Sequence, residues 1–516
     1  MLHDLRRHGW NNSAAVANTD LYFNERRMRL ARWPKSGYAV IAALSAESRK
    51  AFYAMPTRPD RLTIDPGIFA VGYFSYDWAM EAMPVLTSKN SSGRIVLSDE
   101  PSFPLRIGGR FFLENVPSQL ASPGDWVLDA KNGHIFFWPP SDDVSSAEIT
   151  DAESLITLDG ASHVELDGLD FELARGPAIV IRDSEDIRVE NATIRNVGGR
   201  AIDASGRRIK IVNCRIHAVG DGGVYVSSGD RGTLTPGESV VAGNDIYDYS
   251  RWNYSYRPGI QLSGVGNVAE RNRIHDAAHM AMKIEGNDNV VRSNEIYDVV
   301  QDSSDAGAIY MGRDWTQRGN VISGNFLHDI GVPSRDVRGI YLDDQISGTY
   351  IASNYFLRVS KAIYVGGGRD NVIVGNVFID SAPAMSIDDR GVTWQAEWVS
   401  DPNGPLRRNL KGVPYLGSAY GKYPHLRDIL GDDVGAPKYN VFRNNAMVRS
   451  GCPALGAVSI GTDPWVESSG NVCVNGSGAY FHDANTPTAE GTGIYDVLGT
   501  QSSTSLECMT RASEPC

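Results

Sequence analysis

The segment NVVRSNEI at residues 289–296 recurs as NVISGNFL at 320–327 and as NVIVGNVF at 371–378. Related segments carry an asparagine series at Asn191, Asn213, Asn244, Asn272, Asn294, Asn325, Asn354, Asn376 and Asn444. Neighbouring members lie 22 residues apart wherever no insertion lengthens the gap. Such a period indicates stacked repeats. Asparagine suits them because it tolerates left-handed backbone and its amide can bond the same amide in the next layer.

A second series in the same repeats consists of short strands with alternating side chains. The strands begin at Ile179, Ile202, Val224, Ile260, Met282, Ile309, Ile340, Ile363 and Met385. Because strand side chains alternate between two faces, each opening residue and the one two positions later point inward. The repeats are too short for crossover helices. The sequence therefore predicts an all-β chain folded as a right-handed parallel β-helix.

Composition fits a folded solenoid and excludes several classes of function. The chain has 516 residues and a formal net charge of −13, whereas nucleic-acid binding requires a basic surface. It contains no apolar run long enough to span a membrane, and its opening residues lack a secretory h-region. Four of the five cysteines lie late, at Cys452, Cys473, Cys508 and Cys516. They permit two disulfides or remain free.

The repeat pattern is absent from the first part of the chain. Residues 1–148 include LYFNERRMRLARWP and the hairpin-like DWVLDAKNGHIFFWPP, with a turn at Lys131-Asn132-Gly133, which predicts an antiparallel β region. Residues 149–516 are assigned to the β-helix. A long insertion at about 389–438 is rich in Trp, Tyr, Gly and Pro. We interpret it as a loop that crosses the sheet, because it holds few aliphatic residues.

Insertions between the middle strands predict a groove. The segments 248–258, 301–307 and 331–338 lengthen successive repeats on one side, and in solenoids such insertions gather on the binding face. With the insertion at 389–438 they would wall a groove across the coils.

Two columns of outward residues would line the floor of this groove. One position after each opening residue, the column reads Gln261, Lys283, Tyr310, Tyr341, Tyr364 and Ser386. The tyrosines predict an aromatic platform for a sugar or an ordinary cross-strand ladder. Three positions after the opening residue, the column reads Ser263, Glu285, Gly312, Asp343, Gly366 and Asp388. The acids alternate with glycines that would leave room for a ligand, unless the acids are merely solvated.

Further charged and aromatic residues lie beside these columns. They are His279, Asp305, Arg313, Asp314, Trp315, Asp344, Arg369, Arg390 and Trp394. Glycoside hydrolysis requires two carboxyl groups, one protonated and one ionised. Clustering acids raises the pKa of one of them, and arginines keep a partner ionised. We expect no cofactor. A structural divalent cation such as calcium is compatible with the acids.

The motifs DAGAIYMGRDW, GIYLDDQ, GGGRDN and IDDRG, together with the two upstream segments quoted above, carry a family resemblance. The chain resembles the β-helix glycoside hydrolases of family 141, which include α-L-fucosidases and xylanases, and more distantly the β-xylosidases of family 120. The resemblance spans roughly residues 20–440. It implies a sandwich-like flanking region, export to the periplasm or medium, and catalysis by acids, matched here to Asp305 and to Asp343 or Asp344.

Together these features predict a monomeric glycoside hydrolase acting on a plant or algal polysaccharide or its oligosaccharides, xylan-like or fucosylated. The partner of Asp343 is Asp305, Glu285 or Asp388. Asp305 reaches the site only if the chain near Gly307 folds back. Two alternatives remain. A lyase acting on a uronate would use Lys283, His279 or Tyr341 as its base, and a non-catalytic glycan-binding β-helix would need no acid pair.

Overall fold

The computed structural model describes residues 19–55, 67–86, 94–130, 132–142, 146–252, 254–332, 334–450, 465–475 and 478–482. It divides into an antiparallel region that precedes the repeats and a long parallel solenoid. The predicted turn at 131–133 begins at Lys131, which lies outside the described residues. Cys452, Cys508 and Cys516 also lie outside them.

The N-terminal region is built mainly from antiparallel strands. A six-stranded sheet contains, in spatial order, Glu81–Pro84, Phe69–Tyr73, Arg110–Glu114, Ala39–Leu44, Ala51–Met55 and Arg94–Val96. Two three-stranded sheets contain Ala147–Ile149, Leu21–Phe23 and Arg26–Arg27, and His134–Phe137, Asp125–Asp129 and Arg29–Leu30. A 3₁₀ turn at Pro117–Gln119 links two of these strands.

Alternation along the strands gives this region its two apolar layers. Phe111 joins one buried cluster with Phe52, while the next residue, Phe112, joins another with Trp126. Neighbouring strand residues point to opposite faces, so the large sheet carries a core on each side. Its second face packs against the smaller sheets, which makes the region sandwich-like. Asp125–Asp129 and His134–Phe137 pair antiparallel, as the hairpin motif predicts.

The solenoid has three parallel faces. The front sheet contains Ile156–Asp159, Ile179–Glu190, Ile202–Arg207, Val224–Asp230, Ile260–Val265, Met282–Asn287, Ala306–Gly312, Val337–Asp343, Ile363–Gly366 and Met385–Asp388. The second sheet contains Ser162–Asp167, Lys210–Val212, Val240–Ala242, Val268–Glu270, Val290–Arg292, Val321–Ser323, Tyr350–Ala352, Val372–Val374, Asn440–Arg443 and Val466–Ser469. The third sheet contains Asp170–Glu172, Thr193–Val197, Arg215–Val219, Asp245–Tyr247, Arg273–His275, Glu295–Tyr297, Phe326–Ile330, Tyr355–Val359, Val377–Ile379, Ala446–Val448, Asn471–Asn475 and Gly478–His482. Thr235–Pro236 adds a short antiparallel strand beside Val224–Asp230.

The strand register confirms the predicted β-helix. The nine opening residues pair in sequence from Ile179 through Met385. All nine are buried, within one continuous apolar core. The alternation therefore identified both the inward positions and the register.

An asparagine ladder joins the layers, as predicted, although its membership differs. Asn272 Nδ2 lies 2.9 Å from Asn294 Oδ1, and Asn325 Nδ2 lies 2.9 Å from Asn354 Oδ1. The same oxygens also accept from the backbone N–H one layer away. The ladder consists of Asn244, Asn272, Asn294, Asn325, Asn354, Asn376, Asn445 and Asn471.

Three of the nine predicted members were wrong by one position. Asn191, Asn213 and Asn444 are exposed and have φ values of 52°, 54° and 53°. They occupy the left-handed turn position before the ladder, where Gly243 and Gly324 stand in other coils. The physical distinction was present in the sequence. A ladder asparagine lies two residues before the next inward apolar side chain, whereas each of these three asparagines lies three residues before it.

A second ladder follows the front strands and was not predicted. It runs through Asn267, Asn289 and Asn320, and after Thr349 it continues through Asn371 and Asn440. Asn267 Nδ2 lies 3.2 Å from Asn289 Oδ1, and Asn371 Nδ2 lies 3.1 Å from Asn440 Oδ1. Two corners of the solenoid are thus tied by amide groups.

The insertion at 389–438 folds against the coils with a small core of its own. It contains 3₁₀ turns at Arg390–Val392 and Ala419–Lys422 and helices at Ala396–Ser400 and Pro405–Lys411. Its buried cluster comprises Val399, Leu406, Leu410, Tyr420, Tyr423, Leu426 and Ile429, together with Trp315 from the coils. The expectation of a poor core was wrong, because five aliphatic side chains, two tyrosines and Trp315 are enough to form this cluster.

The third sheet carries a stack of aromatic rings on its outer face. His217, Tyr247, His275, Tyr297 and His328 lie with ring centroids 4.9, 5.0, 4.7 and 4.8 Å apart. Neighbouring planes deviate by at most 12°. The layer spacing of a parallel sheet sets this distance.

We predict that Asn325→Ala destabilises the fold by about 1–3 kcal/mol, because it leaves buried partners without hydrogen bonds. Asn325 Nδ2 donates to Val291 O at 3.0 Å, and its Oδ1 accepts from Asn294 N at 3.0 Å. Equilibrium denaturant unfolding measures the change. Asn213→Gly is the matched control, because glycine accepts the positive φ of that exposed turn. Equal stability of the Asn325 variant and the wild type would contradict the ladder's contribution.

We predict that the stabilising contribution of His328 is greatest in acid. Burial lowers the pKa of His328, but hydrogen bonds to Glu295 and Asp329 outweigh burial and raise it overall. Because the folded-state pKa is raised, the contribution is fully present below the unfolded value of about 6.5 and is lost as pH rises through the folded value. The difference in unfolding free energy between wild type and His328→Gln should therefore shrink with rising pH.

His217→Gln is the control for this prediction. Burial and then Arg215 lower the pKa of His217, so its contribution is lost as pH falls and its slope has the opposite sign. Parallel pH dependence of the two variants would refute the role of the carboxylates around His328.

Candidate active site

The front sheet forms the floor of a groove with a wall at each edge. At one edge the N-terminal region contacts the inserted segments. Ser304 N donates to Asp77 O at 3.1 Å, and Met80 N donates to Ser255 Oγ at 3.0 Å. At the other edge the insertion at 389–438 crosses the coils. The sequence predicted the insertion wall, but not that the N-terminal region packs on the opposite segments.

The insertion is held across several coils by specific contacts. Tyr420 Oη donates to Arg231 O at 2.7 Å, and Asn409 Nδ2 donates to Arg313 O at 2.9 Å. Nearer its end, Arg369 donates to Asp432 O at 2.9 Å. These three anchors lie after front strands far apart in sequence, so the segment spans the groove's length.

The tyrosine column is present in register, but its rings do not form an open platform. Tyr310 and Tyr341 meet edge to face with centroids 5.6 Å apart, and Tyr341 and Tyr364 do so at 5.5 Å. Tyr310 and Tyr341 are 5% and 3% exposed. The stacking platform predicted at these two residues is therefore corrected to a packed ladder whose hydroxyls reach the acids.

The glycines of the groove leave room for protein side chains, which corrects the idea of a space cleared for a ligand. A Cβ on Gly312 would lie 2.5 Å from Tyr310 Oη, and one on Gly366 would lie 2.7 Å from Arg390 Cζ. Both glycines thus admit a polar group of a neighbouring residue that contacts Asp343.

Asp343 lies at the centre of the acid cluster. Its Oδ1 accepts from Arg390 Nη1 at 2.8 Å and its Oδ2 from Tyr310 Oη at 3.1 Å. Burial, and next the charge of Asp344, raise the pKa of Asp343, and Arg390 only partly opposes them. The surroundings therefore make Asp343 easier to protonate than an exposed aspartate.

Asp344 has a different environment although it is the next residue. Its backbone is left-handed, with φ 38°, which turns its side chain toward the insertion. Oδ1 accepts from Arg390 Nη1 at 2.8 Å and from Gln395 Nε2 at 2.7 Å, and Oδ2 accepts from Arg313 Nε at 3.0 Å. Two guanidinium groups and one amide therefore hold the Asp344 side chain in a fixed position beside Asp343.

Asp305 reaches this centre by a route different from the one expected. The chain after it continues as a straight strand, with Ala306 opposite Val337, so it does not fold back. Instead Tyr341 leans over Gly307, whose added Cβ would lie 2.6 Å from Tyr341 Cβ. The Tyr341 hydroxyl donates to Asp305 Oδ1 at 3.2 Å.

Asp305 and Asp343 both lie near Tyr341, because the charge of each raises the pKa of this phenol after burial does. Its single hydroxyl proton is donated to Asp305, whereas Asp343 accepts from Tyr310. Asp305 also accepts from Arg338 Nη1 at 2.8 Å, and its side chain remains 49% exposed. An exposed carboxylate paired with arginine and a buried carboxyl with raised pKa thus lie near Tyr341.

The other two acids of the column are bound to neighbours. Asp388 accepts from Tyr364 Oη at 2.8 Å and from Arg390 Nε at 2.9 Å. Glu285 lies 2.7 Å from Lys283 Nζ and accepts from Gln261 Nε2 at 2.7 Å. Of these, only Glu285 borders the cavity described next.

A cavity of about 500 Å³ opens beside Tyr310. It is lined by Arg231, Tyr256, Ser263, Lys283, Glu285, Gly286, Tyr310, Gly312, Arg313, Asp314, Gln317 and Asn409. Residues from the floor, one edge loop and the insertion thus enclose it together. Its volume suits one or two sugar residues.

Four predicted substrate contacts are corrected by burial. Trp315 is 1% exposed and packs inside the insertion's core. Arg369 is 2% exposed and binds the insertion. Asp314 lines the cavity but is 2% exposed, because it bonds Thr316 and Arg231. His279 is 1% exposed and burial lowers its pKa to about 3, so it is neutral and enclosed.

Trp394 is the most open of the predicted contacts. It is 70% exposed and lies over Arg390, whose Cζ is 5.2 Å from the ring centroid. An indole in this position can present a broad face beside the acid cluster.

Sequence reasoning missed Arg338, Gln395, Tyr256 and Arg231. Arg338 had a signal, because it lies two residues before the strand opener Ile340 and is opposite Gly307. The other three come from inserted segments outside the repeat frame. In the described part of the chain, no group of three or more His, Cys, Asp or Glu side chains is placed to hold a metal ion.

Comparisons with known proteins agree on the architecture. The family described as right-handed beta helix region matches residues 154–296 and 258–404. A solved structure described as a glycoside hydrolase is similar, with TM-score 0.57, 13% identity, and coverage of 71% of this chain and 77% of that chain. Among curated proteins, none matches this chain in sequence.

Other solved structures align less closely. A complex of XylC with xylose has TM-score 0.41 and 12% identity, covering 90% of this chain and 69% of that chain. The PL6 family polysaccharide lyase Pedsa3628 from Pseudopedobacter saltans has TM-score 0.33 and 12% identity, covering 62% and 89%. The family match and the structure with TM-score 0.57 support the fold alone, a right-handed parallel β-helix.

Within the described residues, every helix is too short or too polar to span a membrane.

We predict that Arg390→Gln costs about 3–5 kcal/mol at neutral pH, because it leaves buried carboxylates without their cation. Arg390 contacts Asp343, Asp344 and Asp388 within 2.9 Å. Arg390 lowers the pKa of Asp343 against burial, so loss of the guanidinium raises that folded-state pKa further. The unfavourable contribution of Asp343 therefore develops as pH rises and should shrink on acidification. Denaturant unfolding at several pH values measures it.

Arg358→Gln provides the control for Arg390. Its ion pair with Asp329 is solvent-exposed, with side chains 54% and 37% accessible, so its loss should cost less than about 1 kcal/mol. Similar, pH-independent losses for both variants would show that Arg390 does not organise the acids.

Proposed function

We propose that this protein is a glycoside hydrolase acting on a neutral plant or algal glycan, xylan-like or fucosylated, as a secreted or periplasmic monomer. The observation that carries the proposal is the contrast between two acids near Tyr341. Asp343 is buried with a raised pKa, while Asp305 is half-exposed and held by Arg338. Glycoside hydrolysis requires such a pair, one carboxyl protonated and one ionised.

The surroundings of Asp343 and Asp305 suggest which of the two is the acid and which is the nucleophile or base. Asp343 is the proposed general acid, because burial and the neighbouring Asp344 favour its protonated form. Asp305 is the proposed nucleophile or base, because its exposed carboxylate can meet the sugar or a water molecule. Tyr341 donates to Asp305 and Tyr310 donates to Asp343. Arg390 and Arg313 hold the neighbouring Asp344 in place.

Lyase chemistry is the second candidate, and the cations around the cavity favour it. Arg231, Lys283 and Arg313 all line that space. They could neutralise a uronate carboxylate, with Lys283 as base. Against this, Lys283 is paired with Glu285 at 2.7 Å. His279 is neutral but enclosed, and burial raises the pKa of Tyr341 far above its usual range.

We test the reaction class on a panel of xylans, fucosylated glycans and polyuronates. New reducing ends without ultraviolet absorbance of unsaturated uronates indicate hydrolysis. Growth of that absorbance on polyuronates indicates a lyase, and it would overturn the proposal. Proton NMR of the first product anomer then distinguishes retention from inversion.

We predict that Asp343→Asn lowers kcat on the polysaccharide by about 10²- to 10⁴-fold, the usual contribution of general acid–base catalysis. The loss should be much smaller on an aryl glycoside with an acidic phenol, because its leaving group needs little protonation. Asp305→Asn should be slow on both substrates. Asp203→Asn, an exposed acid of the front sheet remote from the groove, serves as control. Near wild-type rates for both folded site variants would reject this pair.

A further inference from the structure

The N-terminal region presents an aromatic cluster next to the groove. Its segment 74–80 connects the strands Phe69–Tyr73 and Glu81–Pro84. Tyr76 and Trp78 stack face to face, with centroids 5.3 Å apart and planes 11° apart. Phe103 meets both rings edge-on, at 5.3 and 4.9 Å. Tyr76 remains 44% exposed, so one face of the stack is open.

This cluster is fixed to the segment that carries Asp305. Asp77 O accepts from Ser304 N at 3.1 Å. Arg110 Nε donates to Asp77 at 2.8 Å, and its Nη1 donates to Asp302 at 3.0 Å. The guanidinium thus joins the N-terminal segment to the coil just before the proposed catalytic carboxylate. A rigid connection of this kind keeps the open rings at a constant distance from the acids.

Ring contacts continue from the cluster into the groove. Trp78 meets Tyr256 at 6.3 Å between centroids, and Tyr256 meets Tyr310 at 5.8 Å, both edge to face. Tyr256 and Tyr310 line the 500 Å³ cavity. The aromatic surface therefore extends from the N-terminal region to the hydroxyl that bonds Asp343.

We propose that Tyr76, supported by Trp78, forms a binding subsite for a neutral pyranose residue of the glycan, remote from the bond that is cleaved. The inference rests on the proposed function in one respect, namely that the groove binds a glycan. An exposed aromatic face packs against the apolar face of a sugar, while the sugar hydroxyls stay in water. The neighbouring charge of Asp77 is already paired with Arg110, so the ring's uncharged face is the recognition surface.

The location explains why a chain would be bound more tightly than a short oligomer. The acid pair binds the reacting sugar, the cavity accommodates the next one or two, and Tyr76 contacts a residue beyond them. A disaccharide that occupies the acid centre and the cavity would not reach Tyr76. The flanking region thus determines chain-length preference.

Binding to an inactive protein tests this subsite independently of turnover. We use Asp343→Asn as background and measure retardation in gels that contain xylan, fucosylated xyloglucan or polygalacturonate, and calorimetric affinity for xylohexaose and xylobiose. Tyr76→Ala should weaken binding of the retained neutral glycan and its hexamer about tenfold and leave the dimer unchanged. Tyr76→Phe should restore binding. Tyr53→Ala, a half-exposed tyrosine on a strand distant from segment 74–80 in the sheet order, should have no effect.

The possible outcomes separate the two proposals. Unchanged neutral-glycan affinity in a folded Tyr76→Ala variant overturns the subsite, even if the wild type hydrolyses glycans. Binding that depends on Tyr76 without any hydrolysis by the wild type supports the subsite and overturns the proposed function. Retention by polygalacturonate alone, or by none of the three polymers, rejects a neutral-sugar subsite. Equal loss for the dimer and the hexamer places Tyr76 beside the reacting sugar and also rejects it.

Discussion

The amide hydrogen bonds between coils fix the register on which the columns of the candidate site depend. Each ladder asparagine uses both ends of its amide, so that Asn294 accepts from Asn272 and donates to Asn325. A buried amide left unpaired in the apolar core would be costly, and this cost fixes the corners of the coils from Asn244 to Asn471 in the same register. Because the register is fixed, side chains at equivalent positions lie one above another about 4.8 Å apart. Columns of functional groups follow from that spacing alone.

The candidate active site lies where inserted segments interrupt the repeats of the solenoid. The front columns supply Tyr310, Tyr341 and Asp343. The cation that organises the acids, Arg390, comes from the first turn of the insertion. One guanidinium forms ion pairs with three carboxyl groups, so its single positive charge cannot compensate all three of them. At Asp343, burial and the charge of Asp344 outweigh Arg390 and leave the carboxyl group with a raised pKa.

The sequence predicted those features of the fold that depend on side-chain alternation and on the repeat period. Strand openers, inward positions and cross-coil pairs were predictable, because a period of two assigns each residue to a face. The direction in which a side chain leans along the strand was not. Tyr310 leans forward to Asp343 and Tyr341 leans back to Asp305, a difference that depends on which neighbouring glycine leaves room. Periodicity also could not place Gln395, Tyr256 or Arg231, whose segments lie outside the repeat.

The N-terminal region and the insertion form opposite edges of the groove and contribute different chemical groups to it. The insertion brings the positive charge of Arg390 and the neutral amide of Gln395, which donate to Asp343 and Asp344. The N-terminal region brings aromatic surface and, through Arg110, stiffens the segment ahead of Asp305. A carboxylate on a left-handed residue, as Asp305 is with φ 52°, keeps its orientation only if the surrounding chain is held. The flanking region therefore supports the same site from outside the coils, in addition to the bonds that Asp305 makes to Arg338 and to Asp336 O.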